Sequence, residues 1–108
     1  MKTLLLSAPR DKDTATGLHK SFSTILNDKI GPDYAIHRNL RSQITLGMKV
    51  VVFERIDRRQ AQGTVAGVAP TGNVTRNGIQ RYDVKIPDLH SVQYTHPPHV
   101  NHCGVAIV

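Results

Sequence analysis

Four consecutive apolar residues, Val50-Val51-Val52-Phe53, follow Gly47-Met48-Lys49 and run into a polar turn at Asp57-Arg58-Arg59. Successive side chains of a strand point to opposite faces, so this run is apolar on both and belongs in the middle of a sheet, covered on each side. A second run, Gly63 to Ala69, lies just beyond the turn. Gly47 to Ala69 therefore reads as a β-hairpin at the centre of the fold. Gly63 and Gly67 predict a bulge or tight bend, the feature by which a sheet curls.

The flanking chain supplies a helix and further strands. Lys2 to Ser7 reads as a short buried strand, ended by a charged turn from Ala8 to Asp13. Leu18, Phe22, Ile25 and Leu26 share one helical stripe, which predicts a helix over residues 14–29 covering one side or end of the sheet. Asp13 or Thr14 can cap it, Lys29 suits its negative end, and Gly31-Pro32 stops it; Gly17 weakens its first turn by about 1 kcal/mol relative to alanine. Tyr34 to His37 forms a brief strand, and His37 to Ser42 an exposed basic loop. Pro70-Thr71-Gly72-Asn73 breaks the second central strand, and Asn77-Gly78 predicts a type I′ hairpin turn. From Ile79 to Ile86 the pattern alternates: Tyr82, Val84 and Ile86 face one way, and Arg81, Asp83 and Lys85 face the other, which is wet. Val92 to Thr95 and Gly104 to Val108 complete the strands.

A chain of 108 residues fits one domain, 1–108, with one core. With no Trp, that core is built from Val, Ile, Leu and Ala, with Phe22 and Phe53 as the bulky fillers. Cys103 is the lone cysteine, so no internal disulfide forms and a reducing cytoplasm is the expected setting. Leu4-Leu5-Leu6 is far too short for a secretory core or a membrane span, so no membrane partner is expected.

The net charge of +6 is concentrated in the middle of the chain. Residues 35–81 hold eight Lys and Arg against only Glu54 and Asp57, while the flanks nearly cancel. Most of the excess is arginine, whose planar fork matches phosphate and carboxylate. A polyanionic partner follows, RNA or DNA first. Arg38 and Arg41 in one loop, Arg58 and Arg59 at the hairpin turn, and Arg76 beside Asn77-Gly78 are the expected phosphate contacts, with Arg55 and Arg81 near them. Tyr82 is the expected base stack, with Tyr34 and Tyr94 as alternatives. The same charge also suits an acidic protein partner or a plain solvated face.

Other chemistry is thinner. His96, His99 and His102 recur at intervals of three before Cys103, with His90 upstream. In polyproline II conformation that spacing separates neighbours by about 9 Å, too far for one ion unless the chain folds back, so no metal and no cofactor is assigned. Glu54 stands beside Arg55, where an ordinary ion pair is expected. Adjacency of Cys103 to histidines supplies neither a placed base nor an orienting group, so the chain reads as non-enzymatic. The apolar end, Val105-Ala106-Ile107-Val108, must be buried in its own core or paired with a second copy, which allows a homodimer through the C-terminal strand.

Gly47-Met48-Lys49-Val50-Val51-Val52-Phe53, Gly63-Thr64-Val65 and Arg81-Tyr82-Asp83-Val84, in the order β, helix, β, hairpin, resemble the PUA-like barrels that include the ASCH and EVE domains. The Gly-Thr-Val strand is also similar to SH3-like barrels such as Tudor and KOW modules. The elements together predict an α+β fold, a small, curved, mostly antiparallel β-barrel, PUA-like or SH3-like, with one main helix. The PUA-like resemblance further implies binding of RNA or modified nucleobases. ASCH-like proteins carry a segment rich in lysine and glutamate after the first helix. Here that place is taken by His37-Arg38-Asn39-Leu40-Arg41, without glutamate, so base hydrolysis is not implied.

Overall fold

The computed structural model describes residues 2–11, 21–101 and 103–108. Its elements are β1 (Thr3–Ser7), α1 (Phe22–Asp28), β2 (Ile30–Ala35), α2 (Arg38–Arg41), β3 (Lys49–Glu54), β4 (Arg59–Thr64), β5 (Gly67–Val74), β6 (Gln80–Lys85), β7 (His90–Val92) and β8 (Val105–Ile107). The fold is α+β. Five strands form one sheet in the order β7-β4-β3-β1-β8, and three form another in the order β2-β6-β5. Pairing is antiparallel throughout except between β1 and β3. Among the described residues no helix is long and apolar enough to cross a membrane.

Leu4 to Leu6 lie beside Val50 to Val52 in the parallel β1–β3 ladder. As the unbroken apolar run requires, β3 is central and covered on both faces. Leu4, Leu6, Val50 and Val52 face the main core, where they meet Tyr34 and Val84 of the second sheet and Phe22 and Ile25 of α1. Leu5, Val51 and Phe53 face the other way and pack with Val100 and Ala106. Each such side chain contributes roughly 1.5–3 kcal/mol when fully buried.

The hairpin differs from its sequence reading. The second strand begins at Arg59 rather than Gly63, because β4 pairs with β3 from Glu54↔Arg59 to Lys49↔Thr64. The chain then changes sheet within one residue step. The Val65 amide donates to the carbonyl of Met48, just before β3 of the first sheet, at 2.9 Å, and the Ala66 amide donates to the Lys85 carbonyl of the second, at 2.8 Å. This corner divides the expected single curved sheet into two, which share no ladder and are not closed into a barrel. Gly63 sits in regular register opposite Val50, without a bulge. Its missing side chain instead admits Ile86 and Leu89: a Cβ there would stand 2.5 Å from Ile86 Cγ2 and 3.1 Å from Leu89 Cα.

The helix expected over 14–29 is described from Phe22 to Asp28; the candidate caps Asp13 and Thr14, together with Gly17 and Leu18, lie outside the described residues. Ser21 is extended, and its hydroxyl accepts the Thr24 amide, which starts α1. Lys29 ends it in the left-handed region at φ 60°, and the chain enters β2 at Ile30, so the expected stop at Gly31-Pro32 lies inside a strand. The expected basic loop at 37–42 is one helical turn, α2, with Leu40 packed against the core. Pro70 to Asn73 does not end β5. It is absorbed as a register irregularity between Pro70 and Val74. Thr71 Oγ1 and Asn73 Nδ2 both donate to Asp33 Oδ1 across the sheet.

The C-terminal run pairs with β1, the Thr3 amide donating to the Val108 carbonyl and the reverse; Val105 is buried, Ala106 and Ile107 are half-buried and Val108 is exposed. On the outer side of β8, Asn101 Oδ1 accepts the Val105 amide at 3.0 Å, and the Asn101 amide donates to the Val105 carbonyl.

Gly63→Ala is expected to cost about 1–3 kcal/mol, because strand backbone and packed side chains must move to admit the methyl. Gly67→Ala, whose Cβ meets only the Lys85 side chain at 3.6 Å, should change stability by less than about 0.5 kcal/mol. Urea denaturation of the two variants checks the contrast.

Candidate functional site

The parallel β1–β3 pair needs a crossover, and the chain supplies it through α1, β2 and α2. β2 packs against β6 with Tyr34 opposite Tyr82 and Ala35 opposite Arg81, and the Ile36 amide donates to the Gln80 carbonyl. This sets the turn of α2 against the end of the β5–β6 hairpin. Between them lies a cleft of about 460 Å³ whose lining includes Ile36, Arg38, Arg41, Asn77, Gln80 and Tyr82. No Asp or Glu is among its lining residues. The Arg41 guanidinium lies over the Tyr82 ring, 5.5 Å from its centroid, an arrangement that holds the cation by the ring quadrupole. His37 Nδ1 accepts the Asn39 amide at 3.4 Å, a weak cap on α2.

Three of the expected contact residues, Arg38, Arg41 and Tyr82, thus share one cleft. Arg76 lines a second one, of about 270 Å³, with Ala35, Thr75, Ile79, Arg81 and Cys103. Asn77 and Ile79 belong to both. The hairpin end between them is not the expected type I′ turn. That turn needs two positive φ values, and here Gly78 has one while Asn77 does not. The Gly78 amide donates to the Thr75 carbonyl, and the Ile79 amide to Thr75 Oγ1.

Arg58 and Arg59 are not brought to either cleft. Their turn stands at the far end of β3 from α2, and six strand residues span about 20 Å. Arg59 lies over the Phe22 ring at 4.6 Å and donates to Asp11 Oδ2 and Ser23 Oγ, fastening α1 to the hairpin. Arg55 lies over Phe53 and donates to the Pro98 carbonyl, holding the 97–98 segment on the sheet. Arg81 donates to the Asp33 carbonyl at 3.0 Å, close to that residue's carboxylate. Arg58 is exposed in the left-handed region, at φ 59°.

The remaining candidates also find their places. Tyr34 is buried and its hydroxyl donates to the Ser7 carbonyl at 2.7 Å; burial pushes its phenol well above the ordinary range, and its ring lies in the core. Tyr94 lines neither arginine cleft. Glu54 makes no pair with Arg55. It is buried, and its two carboxylate oxygens accept the Ile56 and Asp57 amides, bracing the β3–β4 turn. Among the described residues, no three His, Cys, Asp or Glu side chains gather as a metal site; His102 lies outside them.

Sequence reasoning missed Gln80, Asn77 and Ile36 as lining residues. Gln80 carried a usable signal, since it shares strand parity with Tyr82. Ile36 carried none, because nothing local marks an apolar residue as the floor of a cleft. No protein-family model matches the chain, and no curated protein matches it.

The Ser23–Asp11 hydrogen bonds within the Arg59 anchor make stability pH-dependent. Hydrogen bonds from the Ser23 hydroxyl and amide, aided by Arg59, hold the Asp11 carboxyl below its ordinary value of 3.8. A lowered carboxylate stabilises the fold fully above that ordinary value and ceases to as pH falls through the folded one. Asp11→Asn should therefore be less stable than the native chain near neutrality, with the gap closing below 3.8. Urea midpoints measured along an acid series check this.

Proposed function

We propose that this chain is a non-enzymatic module that binds single-stranded nucleic acid, RNA first, in the cleft between α2 and the β5–β6 hairpin. The observation that carries this reading is the gathering of Arg38, Arg41 and Tyr82 in a cleft with no carboxylate in its lining. Two guanidinium forks match phosphate oxygens bidentately. The Arg41–Tyr82 pair offers a stacked planar surface to a base, and base stacking of this kind contributes about 1–3 kcal/mol. Asn77 and Gln80 carry amides able to meet base edges. A duplex is the poorer match, because its bases turn inward and leave a planar platform unused.

The PUA-like resemblance and a cytoplasmic setting belong to the same proposal. The residues that carry the resemblance fall on or beside β3, β4 and β6, from two sheets packed about one core. Of the seven arginines in the basic middle, Arg55, Arg59 and Arg81 hold the fold together. The nucleic-acid contacts are Arg38, Arg41 and Arg76, and Arg58 is outside the footprint.

Fluorescence anisotropy with labelled single-stranded RNA, single-stranded DNA and duplex probes at about 50 mM salt tests the proposal. Single strands should bind best. Arg38→Ala and Arg41→Ala should each weaken binding about tenfold, the size of a charge-assisted contact. Each should also flatten the dependence of log K on log salt by about 0.7. Arg58→Ala should leave binding unchanged. Absence of binding by every probe at low salt, or recovery of an acidic protein complex under the same conditions, would overturn the reading.

A further inference from the structure

The two arginine-bearing clefts lie on opposite faces of one strand pair. Gln80 and Tyr82 of β6 line the larger cleft, whereas Arg81, of the opposite parity, lines the smaller. The same division holds at the end of β2, where Ile36, just past the strand, lines the first cleft and Ala35 the second. Asn77 and Ile79 belong to both, so the clefts meet around the Asn77-Gly78 turn. That turn is narrow, because the Gly78 amide closes it on the Thr75 carbonyl at 2.9 Å. Neither cleft has an acidic lining residue, and Arg76 is exposed at the mouth of the second.

Resting on the reading above, we infer that one nucleic-acid strand occupies both clefts, passing over the Asn77-Gly78 turn, and that the ligand is therefore an oligonucleotide rather than a single nucleotide. Arg38 and Arg41 take the phosphates of the first cleft, and Arg76 takes a phosphate after the crossing. The footprint is about four nucleotides, the low end for modules that bind single strands. A mononucleotide fills the larger cleft alone and gains nothing from Arg76. Charge also favours this path: a strand leaving the turn in any direction that avoids the second cleft forgoes Arg76, the exposed arginine nearest the crossing.

Cys103 reports on this path without taking part in it. It is the chain's lone cysteine, half-buried in the lining of the second cleft and absent from that of the first. Its alkylation by iodoacetamide should be unaffected by saturating adenosine 5′-monophosphate, and slowed about tenfold or more by a saturating oligoadenylate of about four nucleotides. Affinity should rise steeply from the mononucleotide to that length and level off beyond it. Arg76→Ala should weaken the oligonucleotide about tenfold and leave the mononucleotide unchanged, whereas Arg38→Ala should weaken both.

Equal affinity for mononucleotide and oligonucleotide would overturn the two-cleft path. Unprotected Cys103 under saturating oligonucleotide would do the same, and either result would leave binding in the first cleft standing. Failure of both ligands to bind would instead overturn the functional reading itself.

Discussion

The structure depends on a parallel ladder between two strands far apart in sequence. β1 and β3 have apolar side chains on both faces, so neither has a stable place at a solvated edge. Once they pair side by side, the connection between them must cross over the sheet, and everything in that connection is placed by the requirement. α1 covers the inner face, β2 begins the second sheet, and α2 returns the chain to the start of β3. The cleft is a by-product of this return: it opens where the crossover passes the end of the β5–β6 hairpin.

The corner at Val65 and Ala66 has a comparable reach. Within one peptide step the backbone stops bonding to Met48 and starts bonding to Lys85. Strands that lie in one hydrogen-bonded surface share one pair of faces. Two sheets joined at a corner instead enclose a core between them and leave separate edges, and the β5–β6 hairpin projects because it belongs to the smaller one. Gly63 serves the same corner from the other side by letting Ile86 and Leu89 close over β4.

How legible this was in the sequence depended on how local each cause is. Both-face burial of Val50 to Phe53, the strand at Leu4 to Leu6 and the alternation from Tyr82 to Ile86 are visible because each is a pattern of neighbours. The sheet change was hidden because Gly63 to Ala69 keeps a strand-like pattern straight through it; only the bonding partners change. The turn of α2 is four residues long, below the length at which periodicity speaks. Composition shows the excess of arginine but not its division between fold and cleft. Arg59 over Phe22 and Arg55 over Phe53 each require a ring brought into place by tertiary packing. Their role in the fold became visible only when those rings were located.

The placement of β1 also bears on how the chain reaches its folded state. Its two neighbours are β3, from residues 49–54, and β8, from residues 105–107, so β1 leaves the ribosome before either and is satisfied on both sides only once residues 105–107 are made. Leu4, Leu5 and Leu6 therefore spend the period of synthesis as an unsatisfied apolar segment. Pairing with β3 and β8 closes two long loops at once, which places the molecule among slow, topology-limited folders. Until then the only cover open to Leu4 to Leu6 is non-native contact.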